Sequence, residues 1–370
     1  MHIAQALAAL NLGGSELVAL ELTEFLSSQN HQTSIIAASG PLANRVRACD
    51  ATHIDWAIGR KRPGTLGYVK KLATWLKEQK VTVLHAHSRL PAWICWRAIR
   101  RLAPAQRPAF ITTMHGHYSV NPYSAIMTRG DLVLAVSEHM RDYTLENYSQ
   151  VDPEKVITVH GGISHTAFPY GHEPGRAWLE NMYLHFPETA GKRLVSLPGR
   201  ITRWKGHREF IGLLARLIGR VDNVHGVIIG GGKSNSSYGR ELLQLAEREG
   251  VSRRLTFTGE TTDIRDWLAA SEIVFNLSRQ PPEALGRTVL EALSLGRPVL
   301  AWDHGGAGEI LAQLYPQGKV PLADMEKLTE RTIQMLVNPV PVPETKTFGL
   351  EESMQKHLAI YERFGESEKC

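Results

Sequence analysis

The sequence predicts an α/β protein built from two Rossmann-like domains, each a doubly wound parallel sheet covered by helices and the two facing each other across a cleft. Strand-like apolar runs alternate with helical patterns, and this alternation occurs twice, separated by a lapse of periodicity between residues 165 and 193. The length of 370 residues and the hydrophobic content of 43% suffice for two cores. The predicted domains are residues 1–168 and 169–349.

The first half begins with a strand, a glycine-containing loop and an amphipathic helix. The helix at Ser15–Ser28 places Val18, Leu22 and Leu26 on one face. The predicted strands of this half lie near Ile3–Leu10, Thr33–Ala38, Val81–Leu84, Phe110–Met114 and Leu132–Val136.

The second half repeats the arrangement. A helix after Gly206 carries Phe210, Leu213 and Leu217 at helical spacing, and a last helix is predicted where Met354, Leu358 and Tyr361 share a face. The predicted strands lie near Leu194–Leu197, Gly226–Ile229, Leu255–Thr258, Ile273–Leu277 and Val299–Trp302.

Composition narrows the class of protein. No apolar run approaches the roughly 20 residues that cross a bilayer, and the start of the chain reads as a strand rather than a signal peptide. The three cysteines, Cys49, Cys95 and Cys370, are scattered and favour a reducing cytoplasm.

The net charge of +5 is concentrated in the first half, where Arg60 to Arg107 contains twelve basic residues and only one acid, Glu78. One interpretation is a solvated helical face. The other is a basic surface, including Lys70, Lys71 and Lys77, that makes reversible contact with an anionic membrane leaflet. Nucleic acid is the weaker third partner, since no recognised nucleic-acid module accompanies the charge.

The most informative segment is Pro281 to Leu293, which follows an apolar strand and continues into a helix. Gly286 falls at the predicted helix mouth, where unpaired backbone N–H groups favour an anion such as phosphate. Glu283 precedes this mouth and Glu291 follows it inside the helix. Two carboxylates flanking a phosphate site can accept hydrogen bonds from hydroxyl groups, which matches the layout of a sugar nucleotide.

Other loops after predicted strands carry glycines and cations. Arg200 and Lys205 follow the first strand of the second half, where two cations can neutralise a diphosphate. Gly13-Gly14 opens the first helix and Gly230-Gly231-Gly232 follows another strand; for each, a ligand-contacting loop and a plain turn are both open. Gly305-Gly306 fits a tight ligand-lining turn.

Histidines near strand ends are candidates for proton handling or for binding sugar hydroxyls. His115 is the best candidate because it directly follows the strand ending at Met114, while His87 and His117 lie close by in the sequence. No third metal ligand accompanies them and no Asp-X-Asp pair is present, so we expect no metal and no cofactor beyond the co-substrate.

Taken together, these features resemble the retaining family 4 glycosyltransferases of the GT-B fold, in particular bacterial enzymes that build lipopolysaccharide and related envelope glycans. The segments that match the family are Gly13–Glu16, Thr113–Gly116, Ala135–Ser137, Gly199-Arg200 with Lys205-Gly206, Glu283–Glu291 and Gly305-Gly306. The narrower resemblance to the envelope-glycan enzymes lies in Pro198–Gly206 and Asp303–Gly306. The chain departs from the family at His160–Ser164, in place of the usual Asn-Gly-Val-Asp, and at Leu285, where many members have Phe.

The resemblance implies a role for each matching residue. Glu283 would bind sugar hydroxyls, Glu291 the ribose, and Arg200 and Lys205 the diphosphate, with His115 beside the reacting sugar. A C-terminal helix at residues 350–370 would cross back to the first domain. The donor-binding residues would be Gly13, Gly14, Arg200, Lys205, Gly231, Glu283, Ala284, Leu285, Gly286, Arg287 and Glu291.

The sequence therefore predicts a cytoplasmic hexosyltransferase that moves a sugar, with retention, from a nucleotide-sugar donor (UDP-linked) to a glycan or glycolipid acceptor of the bacterial envelope. Peripheral attachment to the inner membrane would follow from the basic surface. Two alternatives stay open. A sugar-nucleotide epimerase would bind the same donor without an acceptor, and a nucleotide-binding regulatory protein would show no turnover.

Overall fold

The computed structural model describes residues 1–231 and 236–365, so Gly232 and Cys370 lie outside the described residues. The chain folds into two compact units. Unit 1 comprises Met1–Gly161 together with the segment that starts at Leu350, and unit 2 comprises Gly162–Gly349. The sequence-based boundary fell between residues 168 and 169, a few residues after the point at which the structure divides.

Unit 1 contains a seven-stranded, all-parallel sheet. Its strands are β1 (His2–Ala9), β2 (Gln32–Ala38), β3 (Thr52–Asp55), β4 (Val83–Ala86), β5 (Ala109–Met114), β6 (Leu132–Ala135) and β7 (Val156–Thr158). Its helices are α1 (Gly14–Ser28), α2 (Ala43–Ala48), α3 (Tyr68–Glu78), α4 (Arg89–Ile99), α5 (Glu138–Asn147) and α13 (Leu350–Gly365).

The strand order of this sheet is β3-β2-β1-β4-β5-β6-β7, so the direction of winding reverses between β1 and β4. Ligands of doubly wound folds bind outside the carboxyl ends of the strands at such a reversal. One sheet face is closed by α1 and α13, which contribute Leu22, Leu26 and Tyr361 to a core shared with Ile3 and Val83. The last helix is therefore part of the core of unit 1.

Unit 2 contains a six-stranded parallel sheet with the order β10-β9-β8-β11-β12-β13. Its strands are β8 (Arg193–Pro198), β9 (Val224–Ile229), β10 (Leu255–Phe257), β11 (Ile273–Asn276), β12 (Val299–Trp302) and β13 (Lys319–Val320). Its helices are α6 (Arg176–His185), α7 (His207–Leu217), α8 (Ser237–Arg248), α9 (Ile264–Ala269), α10 (Arg287–Ser294), α11 (Gly305–Leu314) and α12 (Met325–Val337).

In unit 2 the winding reverses between β8 and β11, which pair in register at Val195 and Ile273. The loops that follow these two strands are consequently neighbours at the carboxyl edge of the sheet. Lys205 lies on the first loop and Glu283 on the second. The topology thus brings together two candidates that are 78 residues apart in the chain.

The predicted fold class is confirmed, because each unit is a parallel, doubly wound sheet covered by helices. The strands that the sequence did not predict are β3, β7 and β13, which have four, three and two residues and lie at sheet edges. Such short segments carry too little periodicity to be recognised. Among the described residues, we find no helix with the length and apolar character that a membrane span requires.

Candidate functional site at the carboxyl edges of the sheets

The centre of the candidate site in unit 2 is an ion pair between Lys205 and Glu283. The Lys205 ammonium contacts Glu283 Oε1, and the two side chains are only 17% and 13% exposed. The Ser278 hydroxyl donates to the same carboxylate oxygen at 2.7 Å, and the Asn276 amide donates to it at 3.3 Å. Glu283 is therefore held in place by three donors at the point where the sheet reverses.

The charge of Glu283 depends on these donors. Burial by itself raises the pKa of this carboxyl, but the Lys205 charge and the hydrogen bonds from Lys205, Ser278 and Asn276 outweigh burial, and the net pKa lies below its ordinary value. Glu283 is thus ionised at neutral pH. An ionised carboxylate can accept hydrogen bonds from hydroxyl groups but cannot donate one.

The helix that follows Glu283 begins as the sequence predicts, at a glycine. Gly286 is the N-cap of α10 with φ of +92°, a left-handed conformation that favours glycine. No side chain caps this helix, so its first N–H groups point out of an uncapped mouth. One turn further on, Glu291 is almost fully buried and accepts a hydrogen bond from Arg287 Nε at 3.0 Å.

The glycines at positions 305 and 306, predicted as a ligand-lining turn, pack against the loop that carries Glu283. They form the first turn of α11, and Gly306 N–H donates to the Glu283 carbonyl at 2.8 Å. A Cβ atom on Gly306 would lie 2.5 Å from the Ala284 carbonyl oxygen, and one on Gly305 would lie 2.6 Å from Pro282. Because these positions carry no side chain, the first turn of α11 packs directly against the backbone of the Glu283 loop.

Arg200 lies on the same loop as Lys205, and its side chain is exposed. It forms no ion pair with any residue within 1–231 or 236–365. The neighbouring Gly231 carbonyl accepts a hydrogen bond from the Ile201 N–H at 3.2 Å, and a Cβ atom at Gly231 would overlap the Glu260 side chain. Gly231 therefore packs tightly against this loop.

In unit 1, Gly13 and Gly14 lie at the start of α1, directly after β1. Gly13 is the N-cap in an extended conformation without a capping side chain, and Gly14 is exposed with open space around it. The Glu16 carboxylate accepts a hydrogen bond from Ser15 at 2.8 Å and lies close to Gly13. An acidic group thus already occupies this helix mouth, and an anion bound there would have to displace it.

His115 follows β5 and is half-buried. Its Nε2 lies 2.8 Å from His87 Nδ1, and His87 Nε2 lies 2.5 Å from Gln5 Oε1. Burial lowers the pKa of His115 to about 3, with a smaller contribution from His357, and lowers that of His87 well below its ordinary value. Both imidazoles are therefore neutral at physiological pH.

Sequence reasoning missed several residues that build these sites. Asn276 and Ser278 are buried polar residues at the end of an apolar strand, and that contrast was the available signal. Two hydrogen-bonding contacts to main-chain carbonyls join the three loops after β8, β11 and β12: Arg279 N–H donates to the Trp204 carbonyl at 3.1 Å, and the His304 side-chain Nε2 lies 3.1 Å from the Arg279 carbonyl. No pattern in the sequence indicated these contacts.

The described parts of the chain contain no group of three or more His, Cys, Asp or Glu side chains arranged to hold a metal ion. Several histidines of unit 1 lie within hydrogen-bonding distance of each other or of neutral groups, as at His87–His115 and His117–His139. His85, for example, lies 2.6 Å from both the Tyr361 hydroxyl and the Thr113 hydroxyl.

Comparison with known proteins gives two family matches. The model of the family described as Glycosyltransferase Family 4 matches residues 12–167, and that described as Glycosyl transferases group 1 matches residues 192–338. The chain is 22% identical over 341 residues to the N-acetyl-alpha-D-glucosaminyl L-malate synthase of Bacillus anthracis, which covers 88% of this chain and 85% of the relative.

A second relative, the lipopolysaccharide core biosynthesis mannosyltransferase LpsB of Rhizobium meliloti, is 32% identical over 185 residues, covering 46% of this chain and 52% of the relative. Among solved structures, Anabaena Alr3699/HepE in complex with UDP-glucose superimposes with a TM-score of 0.77 at 18% identity, covering 100% of this chain and 99% of the other. That likeness establishes the fold. The first family match lies almost wholly in unit 1 and the second lies wholly in unit 2. The chain therefore belongs to the family 4 glycosyltransferases of the GT-B fold.

Proposed function

We propose that this glycosyltransferase transfers a sugar, with retention of anomeric configuration, from a UDP-linked donor to a growing envelope glycan such as a lipopolysaccharide core or a lipid-linked oligosaccharide. The observation that carries the proposal is the Lys205–Glu283 pair at the reversal point of the unit 2 sheet, on the same loop as the exposed cation Arg200. Cations and a hydroxyl-accepting carboxylate at one sheet edge suit a sugar joined to a diphosphate.

In this proposal the donor lies along the carboxyl edge of the unit 2 sheet. Glu283 accepts hydrogen bonds from sugar hydroxyls, and the backbone of Ala284, Leu285 and Gly286 leads the diphosphate to the mouth of α10. Glu291, oriented by Arg287, accepts from the ribose hydroxyls. Gly231 borders the loop that carries Arg200 and Lys205. Gly13 and Gly14 keep their proposed role as backbone donors to an anion, after Glu16 has moved aside.

The proposed reaction is a same-face substitution. The bond between the anomeric carbon and the phosphate oxygen breaks, and its electron pair leaves with the nucleoside diphosphate. The acceptor oxygen bonds to the anomeric carbon on the same face, and its proton passes to the departing phosphate oxygen. Arg200 and Lys205 stabilise the charge that develops on this phosphate. Since Glu283 Oε1 is already engaged by three donors, we assign that carboxylate to binding rather than to nucleophilic attack.

The donor and acceptor classes are supported by the relatives. The HepE structure contains UDP-glucose, and LpsB is named for lipopolysaccharide core biosynthesis. The proposed cytoplasmic location follows from nucleotide-sugar chemistry and from the scattered cysteines. No metal is part of the proposal, because Arg200 and Lys205 supply the positive charge that the leaving group needs.

We also propose reversible electrostatic contact between unit 1 and the anionic inner membrane leaflet. Lys70, Lys71, Lys77 and Lys80 are exposed, whereas Leu72 and Leu76 on the same segment are buried and belong to the core. A basin of about 910 Å³ at the amino-terminal edge of the sheet is lined by Lys77, Lys80, Arg100, Arg107, Arg129 and the single acid Asp131. Binding to phosphatidylserine vesicles should therefore weaken as salt rises, and salt-independent partitioning would contradict this contact.

The donor is tested by thermal denaturation with UDP, GDP, ADP and their sugar conjugates. A UDP-sugar should raise the unfolding temperature of wild type more than the other nucleotides, because selective binding stabilises the native state. Glu283→Gln should lose the discrimination between UDP and UDP-sugar, while the exposed control Glu330→Gln should keep it. Product analysis with and without an acceptor glycan then separates transfer from epimerisation. A preference for GDP-sugars would overturn the UDP assignment.

A further inference from the structure

A polar network occupies the carboxyl end of one face of the unit 1 sheet. In the parallel ladder, Gln5 on β1 pairs with His85 on β4, and His85 pairs with Ile111 on β5. Because side chains alternate between faces, His87 and Thr113 lie on the same face as His85. The lower part of this face is apolar, with Ile3, Val83 and Ile111 in the core. Above it, Gln5, His85, His87 and Thr113 are buried, and His115 is half-buried.

The direction of one hydrogen-bonded chain can be deduced atom by atom. In the amide orientation that the structure shows, the Gln5 oxygen faces His87 Nε2 at 2.5 Å and can only accept, so this orientation places a proton on His87 Nε2. A neutral imidazole carries a single N–H, which leaves a lone pair on His87 Nδ1. The 2.8 Å contact then requires a proton on His115 Nε2, and His115 Nδ1 is left as a lone pair.

The outer nitrogen of His115 is available to a ligand. Nδ1 of His115 makes no hydrogen bond to any residue for which the structure describes a position, and it is not fully buried. A second proton on His87 would place a cation between the rings of His85 and His115, whose centroids lie 4.1 and 5.1 Å from that of His87. Burial lowers the pKa of all three histidines, so this charged state is strongly disfavoured.

We propose that Gln5 and His87 are positioning residues that fix His115 as a hydrogen-bond acceptor through Nδ1, so that His115 receives a hydroxyl group of the sugar substrate. This inference rests on the proposed function and deepens it. A lone pair at this position attracts a hydroxyl and repels a carboxylate or phosphate oxygen. The substrate group that meets His115 is therefore an uncharged hydroxyl, and His115 does not protonate a leaving group.

The C-terminal helix α13 packs against the His85 end of this network. Tyr361 and His357 of α13 pack against His85, with ring centroids at 5.9 and 6.4 Å from it. The Tyr361 hydroxyl and Thr113 Oγ1 each lie 2.6 Å from one of the two ring nitrogens of His85. Both ring nitrogens of His85 therefore have partners other than Gln5 and His87, so His85 itself makes no hydrogen bond to the Gln5–His87–His115 chain.

The test reads the tautomers directly. In protein labelled with 15N-histidine, two-bond 1H–15N correlations distinguish Nε2–H from Nδ1–H imidazole, and single His→Gln variants assign the signals. We expect His87 and His115 of the substrate-free protein to be Nε2–H between pH 6 and 8. An Nδ1–H form or an imidazolium at His115 would overturn the proposal, whatever the enzyme's activity.

Variants separate positioning from structural support. Gln5→Met removes the accepting oxygen at similar size, and His115 should then become a mixture of tautomers, with kcat reduced about tenfold and KM for the donor within about twofold. Thr113→Val removes a hydroxyl of the same network but leaves the Gln5–His87–His115 chain intact, so tautomers and kcat should stay as in wild type. Equal losses in both variants would contradict a positioning role. If the tautomers are as expected but no nucleotide sugar is turned over, the proposed function fails while the tautomer assignment stands.

Discussion

Replacing Lys205 with methionine tests the ion pair at the centre of the unit 2 site. Removing one partner of a buried pair typically costs about 3–5 kcal/mol, since it leaves a buried charge without compensation. Glu283 keeps its hydrogen bonds from Ser278 and Asn276, so we expect a loss at the lower end, about 3 kcal/mol. For a unit of roughly 190 residues this lowers the unfolding temperature by about 6–12 °C.

Calorimetry of the full-length chain, following the transition of unit 2, measures this loss. The double variant Lys205→Met/Glu283→Gln should recover most of the stability, because it contains no uncompensated charge. Lys327→Met, which breaks an exposed pair with Glu330, is the matched control and should change stability by less than about 0.5 kcal/mol. The reasoning is refuted if Lys205→Met is as stable as its control, or if the double variant is no more stable than Lys205→Met.

Three further predictions address the rest of the molecule. Glu291→Gln should weaken UDP binding about tenfold in titration calorimetry. The control Glu180→Gln alters an exposed Arg–Glu pair of the same spacing and should bind UDP as wild type does. If Glu291→Gln and wild type bind UDP with equal affinity, Glu291 is not part of the nucleotide site. Gly306→Ala should displace the Glu283 loop and lower transfer activity at least tenfold, and full activity of this variant in transfer assays would contradict the packing argument. The control Gly212→Ala adds a methyl group in α7 that meets no neighbour, and it should raise the free energy of unfolding by about 0.5–1 kcal/mol. Burial lowers the pKa of His357 to about 4, below the roughly 6.5 of an unfolded histidine. Between these two pH values the unfolded state binds more protons than the folded state, so the free energy of unfolding falls as the pH drops from about 6.5 towards 4. His357→Gln should therefore reduce the pH dependence of urea unfolding there by close to one proton, and an unchanged slope would count against the pKa shift.

The fold followed from the sequence because apolar strand-like runs alternate with amphipathic helical patterns in both halves of the chain. The ten predicted strands are present, and the missed ones are short edge strands. Lys205 and Glu283 were each predicted as site residues, but not as partners. Their contact requires β8 to lie beside β11, and periodicity within single segments carries no information about the order of strands in a sheet.

The contacts of Gln5 likewise could not be predicted from the pattern of a single strand. Within the run Ile3–Leu10 a single polar residue reads as a minor interruption of an apolar strand, and only the register with β4 reveals that it meets two histidines. Likewise, the spacing of Met354, Leu358 and Tyr361 predicts a helix but not the strands against which it packs. The glycine pattern at 305 and 306 indicates only that a side chain is excluded, so it could not predict the contact with the Glu283 loop that excludes one.

The return of α13 to unit 1 has a consequence for biosynthesis. Met354, Leu358 and Tyr361 complete a core that begins at Ile3, so this core cannot close before residues 350–365 have been translated. Unit 2 is contiguous from Gly162 to Gly349 and has all of its own core residues at an earlier stage of synthesis. On the ribosome, unit 2 can thus finish folding before unit 1, although most of unit 1 is translated earlier. Unit 1 can complete its core only after α13 has emerged from the exit tunnel.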